Sequence, residues 1–201
     1  MTICVFAIVG LVLALIVSFV QPLKYSSTMR LRVQQDFGTA VDAYTASRSE
    51  ERIAENMALN LYTTTFFDEV MNAGFSIDEN TFPSEDYKRR KEWARTVSAT
   101  VSRGVGVLTV TAYHQDVAQA EQIVRAVSFV LAENADVYTS GGNVAASIID
   151  APLNSRWPVK PNILANAFSG LVLGGLVGVG YVIVLHERVR RRHQLVHEEF
   201  V

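Results

Sequence analysis

The stretch VLTVTAYHQDVAQAEQIVRAVSFVLAE, residues 107–133, decides the fold because two kinds of structure meet inside it. Its first part, residues 107–113, is rich in β-formers and reads as a strand. After Asp116, a ready N-cap, apolar residues recur at Val117, Ala120, Ile123, Val124, Val127, Leu131 and Ala135. That spacing predicts an amphipathic helix with one face turned to a core. Immediately upstream, a second β-rich run at residues 96–102 is joined to the first by RGVG, residues 103–106, whose glycines suit a hairpin turn. The same four residues make a poor phosphate loop, since neither the lysine nor the strand-to-helix setting is there.

Working outward, YSSTMRLRVQQ at residues 25–35 alternates Met29, Leu31 and Val33 with Thr28, Arg30, Arg32 and Gln34, the period of a half-buried strand. SRSE, residues 47–50, fits a capping box and predicts a helix starting there. That helix carries Ile53, Met57 and Leu61, continues past Phe66, Phe67 and Val70, and stops at Gly74. Residues 75–92 are polar, contain Pro83 and include the run DYKRRKE, which reads as a solvated loop or the first turn of a short helix. Acidic neighbours argue against a functional basic patch there. On the other side, SGG at residues 140–142 ends the second helix, and a last short strand is expected over residues 144–150. The order strand, helix, hairpin, helix, strand predicts an α+β domain, a small sheet covered by helices.

Two uncharged apolar blocks flank this domain, in a chain that is 49% apolar overall. Residues 3–20 give roughly 27 Å of helix, close to the hydrocarbon thickness of a bilayer. The run exceeds a signal-peptide core and SFVQPL lacks a small-residue cleavage pattern, so a retained anchor is expected. It opens two residues into the chain, which leaves room for upstream residues outside this sequence. The second block, residues 167–185 within a span expected at 163–186, is rich in glycine. Arg188, Arg190, Arg191 and Arg192 follow it at once, which predicts a cytoplasmic tail at residues 187–201. With both termini inside, residues 21–150 form an exported domain. If the first and last strands pair, both spans meet and the domain stands as a cap on a two-helix stalk.

Residues 21–162 hold 14 Lys and Arg against 17 Asp and Glu, a balance that does not suggest nucleic acid. The only cysteine, Cys4, lies in the first span, so no intrachain disulfide can form. His114 stands alone beside Asp116, where a solvent-facing polar contact is expected. His193 and His197 share a spacing of four, but no third ligand completes a zinc site. No catalytic set, metal or cofactor is expected.

Taken together, PLKYSSTMRLRV after the first span, SRSEERIAENMALNLY, the 107–133 unit and IIDAPLNSRWPVKPN before a glycine-rich second span resemble, in that order, the polysaccharide co-polymerases, the chain-length determinant or Wzz-like family. The chain resembles a short member, similar to capsule and exopolysaccharide adaptors that accompany a separate cytoplasmic tyrosine autokinase. The resemblance implies a non-enzymatic oligomeric scaffold in the bacterial inner membrane that sets the chain length or export of a capsule, exopolysaccharide or O-antigen. The implied partners are further copies of the chain, the polymerase or export machinery, a tyrosine kinase and membrane lipid. A ligand-sensing ectodomain is the weaker reading, since no output domain follows the second span.

Three groups of residues stand out. Gly170, Gly174 and Gly178 repeat at spacing four, as do Gly10, Ala14 and Ser18, which predicts a close packing seam within the helix pair or between protomers. Pro152, Pro158 and Pro161 lie in a stretch expected to be a stiff strut over residues 151–162. Trp157, Arg156 and Lys160 within it suit a membrane interface. In the tail, Arg190, Arg191 and Arg192 suit anionic lipid, and the resemblance implies kinase contacts with Phe200 among the apolar anchors.

Overall fold

The computed structural model describes residues 1–37, 41–137 and 143–198, with side chains as far as Arg188. It falls into two compact units, one formed by Lys24–Val159 and the other by Met1–Leu23 with Lys160–Val201.

The first unit is a mixed helix and sheet domain. Strands β1 (Tyr25–Gln35), β2 (Val97–Ser102), β3 (Val107–His114) and β4 (Val144–Asn154) form one antiparallel sheet in the order β2-β3-β1-β4. The alternation along β1 is realised as two faces. Met29, Leu31 and Val33 are buried with Leu108, Val110 and Ala112 of β3, while Arg30, Arg32 and Gln34 are exposed. Helix α5 (Val117–Glu133) covers the buried face. Asp116 caps it by accepting from the Ala118 amide at 2.9 Å, and Ala120, Ile123, Val124, Val127 and Leu131 are buried beneath it.

The predicted helix from Ser47 to Gly74 is two helices. Helix α2 (Ala43–Asn60) starts four residues before the expected capping box, with Asp42 accepting from Tyr44 and Thr45 amides, each at 3.0 Å. Ser47 instead reaches Gly104 O at 3.3 Å. The chain then turns, and Thr63 caps α3 (Thr64–Asn72) by accepting from the Phe66 amide. Gly74 stops α3 at a φ of 79°, where a Cβ would be strained.

This break has a use. Leu61 O, freed at the end of α2, accepts from the buried Trp93 indole at 2.8 Å. Trp93 belongs to α4 (Asp86–Thr96), so of the two expectations for the DYKRRKE run, a solvated loop or the first turn of a short helix, the helix is the one formed. Its ring meets Phe67 and Phe82 edge-on, with centroids 5.1 and 5.8 Å away. The charges of α4 form short-range ion pairs, Lys88–Glu85, Arg89–Asp86 and Arg95–Glu92, while Glu92 also accepts from Lys24 at 3.0 Å. One buried aromatic and a self-paired charged face leave little apolar period to read.

Strand β4 runs four residues beyond Asp150 and places Pro152 within the sheet. Its register against β1 shifts on either side of Arg30, and β4 is an edge strand, the setting in which proline is tolerated. The end of β4 is clasped to α5. Asn154 donates to Glu121 at 2.7 Å, and Arg125 donates to the other Glu121 oxygen at 2.8 and 2.9 Å. The Asn154 amide first, and Arg125 after it, hold the Glu121 carboxyl below its ordinary range. The stop expected at residues 140–142 lies outside the described residues.

Candidate functional site

In the second unit, α1 (Thr2–Val20) and α6 (Ile163–Glu198) are both long and apolar enough to cross a membrane, over Thr2–Val20 and Ile163–Arg188. Most of their apolar side chains are exposed, so neither helix is enclosed in a protein core. What joins them is a line of small residues.

The two helices run antiparallel, so each step of four down α1 matches a step of four up α6. A Cβ built on Gly10 would lie 2.9 Å from Gly174 Cα and would run into Gly170 O. One on Gly170 would strike Ala14 Cβ, and one on Gly178 would lie 3.0 Å from both Ile3 Cα and Phe6 Cβ. Ser18 ends the series by accepting from Asn166 Nδ2 at 2.9 Å while donating to its own Ala14 O at 2.9 Å. The structure thus brings Gly10, Ala14, Ser18, Gly170, Gly174 and Gly178 into one seam. Backbone meets backbone there because no side chain intervenes. In lipid, such close approach and an interhelical hydrogen bond supply the association that hydrophobic burial cannot.

Asn166 is a seam residue that sequence reasoning missed. The signal was its spacing of four ahead of Gly170, hidden because attention to small residues passes over an amide. At the far end, the Phe6 and Tyr181 rings stack at a tilt with centroids 5.2 Å apart. Gly175 and Gly180 have open space where a Cβ would go, so the glycines of α6 divide into a packed face and a free one. Beside the seam runs an apolar groove of about 630 Å³, with Phe6, Leu13 and Leu173 among its walls and Gln21 and Asn166 at its polar end.

Of the other residues singled out in the sequence, Pro152 is in β4, and Pro158 follows Trp157, whose ring is exposed. Pro161 belongs to the apolar unit, just ahead of α6. Arg190, Arg191 and Arg192 fall within α6, but their side chains, those of His193 and His197, and all of Phe200 lie outside the described residues. His114 Nδ1 accepts from the Asp116 amide at 3.0 Å, and its Nε2 lies 3.4 Å from Thr81 Oγ1. Among the described residues no group of three or more His, Cys, Asp or Glu is placed to hold a metal ion.

No protein-family model matches the chain, and no curated protein matches it.

Proposed function

We propose that this chain is a non-enzymatic, membrane-anchored scaffold of the chain-length determinant type, acting as an oligomer on the length or export of a bacterial surface polysaccharide. One observation carries the reading: the α+β unit begins in β1 and ends in β4, which are antiparallel neighbours with Ser27 opposite Asn154. Its two chain ends therefore leave side by side, each toward a helix long enough to span. Adjacent ends support a cap joined to a helix pair, and the arginines from Arg188 onward support an inner-membrane protein with both termini in the cytoplasm. The order of the four resembling segments supports the same reading.

Deleting the gene and separating the surface polysaccharide on a gel tests it. An altered modal length or lost export is expected, restored by the full chain. An unchanged length distribution would sink the proposal. Detergent-solubilised protein that stays monomeric at high concentration would remove the oligomeric part. For the topology, a cysteine at exposed Thr100 should react with an impermeant reagent from outside the cytoplasmic membrane.

A second reading, an adaptor for a cytoplasmic tyrosine kinase, is favoured by the length of α6. Its 36 residues reach about 54 Å, well beyond a bilayer core of about 30 Å, so a basic helical extension remains for a partner. Removal of residues 193–201 should abolish phosphorylation of the kinase while leaving the oligomer intact; unchanged phosphorylation would refute the adaptor.

A further inference from the structure

We infer that the end of β4 and the segment after it form a lipid-headgroup seat: Leu153, Trp157 and Val159 rest the α+β unit on the bilayer surface. The inference rests on the reading that α1 and α6 span a membrane. Leu153 is 75% exposed, Trp157 80% and Val159 40%, three large apolar side chains left open within seven residues. Arg156 is exposed beside them.

The segment that carries them is not a loose tail. Ser155 N donates to Ser26 O at 2.8 Å, Ser155 Oγ accepts from Ser26 N at 2.9 Å, and Val159 N donates to Lys24 O at 2.8 Å. Backbone pairing therefore holds these side chains outward against the start of β1. A core position was open to the unit's other tryptophan, Trp93, which is 1% exposed. Trp157 has instead the setting of a ring that needs a medium apolar on one side and wet on the other.

Chain length says what that medium is. Lys24 follows the end of α1 by four residues, and Val159 precedes the start of α6 by four. Even fully extended, each link spans at most about 14 Å. With α1 and α6 inserted, the pinned segment stays within about 14 Å of both span ends, a reach that takes in the headgroup layer, about 6 Å thick on each side. An exposed arginine next to an exposed tryptophan matches the chemistry of that layer, cationic toward phosphate and aromatic toward the acyl boundary.

The test uses the full chain in phosphatidylcholine vesicles, with and without lipid brominated at the upper acyl carbons, a short-range quencher of indole emission. A bromolipid-sensitive fraction of the emission is expected, and it should vanish in Trp157→Phe, leaving the enclosed Trp93 signal unquenched. The pair Leu153→Ser and Val159→Ser should reduce that fraction and raise quenching by aqueous acrylamide. If the chain floats with the vesicles after a carbonate wash, yet Trp157→Phe removes no bromolipid-sensitive emission, the seat is refuted while the spanning reading stands. That result would leave a protein partner as the cover for Trp157. If the chain does not float at all, the spanning reading fails and the seat with it.

Discussion

The side-chain amide of Asn166 donates to the hydroxyl of Ser18 across 2.9 Å, joining residues 148 positions apart at one end of a seam that is otherwise glycine and alanine. A hydrogen bond between membrane helices averages about 0.6 kcal/mol and reaches about 1.7. Asn166→Leu and Ser18→Ala should each loosen the helix pair by about 1 kcal/mol. The double variant should cost little more than either alone, because both remove the same bond. Thermal unfolding of the full chain in mild detergent, followed by circular dichroism, measures this; fully additive losses would mean that the bond contributes nothing.

The glycines of α6 should separate into two classes under substitution. Gly174→Leu forces a side chain against Phe6 O and the Gly10 backbone, so the helices must part, with a loss of about 1–3 kcal/mol or more. Gly175→Leu and Gly180→Leu meet open space and should leave the pair intact. Equal effects at positions 174 and 175 would show that the seam is not where these helices touch.

Trp93 is the keystone of the α2, α3 and α4 arrangement. Trp93→Phe keeps most of the ring but strands the Leu61 carbonyl, at a cost of about 1–3 kcal/mol. Trp93→Ala also empties a site flanked by Phe67 and Phe82 and should cost about 3–5 kcal/mol. Urea unfolding read by near-ultraviolet circular dichroism distinguishes the two.

Acid should act through Glu121. Its carboxyl is held below the ordinary value of about 4.3, so the folded state binds its proton less readily than the unfolded state. The resulting stabilisation is complete above the unfolded pKa and is lost as the pH falls through the lowered folded value. Glu121→Gln should lower stability at neutral pH and approach the unsubstituted chain in acid, flattening the profile on that acid limb. The same change at Glu133, an exposed position on the same helix, serves as the control. The measurement is the urea midpoint as a function of pH.

Between β1, β3 and α2, Gly106 is buried where a Cβ would lie 2.6 Å from Val33 O and 2.7 Å from Glu50 Cβ. Gly106→Val should therefore destabilise the domain sharply, while Gly104→Asn should be tolerated, because φ at Gly104 is 72° and asparagine accepts that region. A milder loss at Gly106 than at Gly104 would contradict this assignment of roles.

Much of this structure was legible in the chain because it follows from local period. The alternation of β1, the hairpin at residues 103–106, the Asp116 cap and the apolar face of α5 each depend on neighbours within a few residues, as do the two apolar helices. The spacing of four among small residues likewise marked one face on α1 and one on α6. Other features depend on residues far apart in sequence. The break at Leu61 is stabilised by an indole 32 positions away, and α4 is held by that same side chain rather than by an apolar stripe. Pro152 could enter β4 only because β1 covers one side of that strand and leaves the other as an edge. Asn166 became part of the seam because Ser18 stood opposite. The chain by itself determined the strands and helices that follow a local period and which of their faces are small or apolar; the break after α2, the full length of α4 and which face meets which were decided by tertiary packing, since strand order, buried hydrogen bonds and close backbone approach exist only once distant segments are brought together.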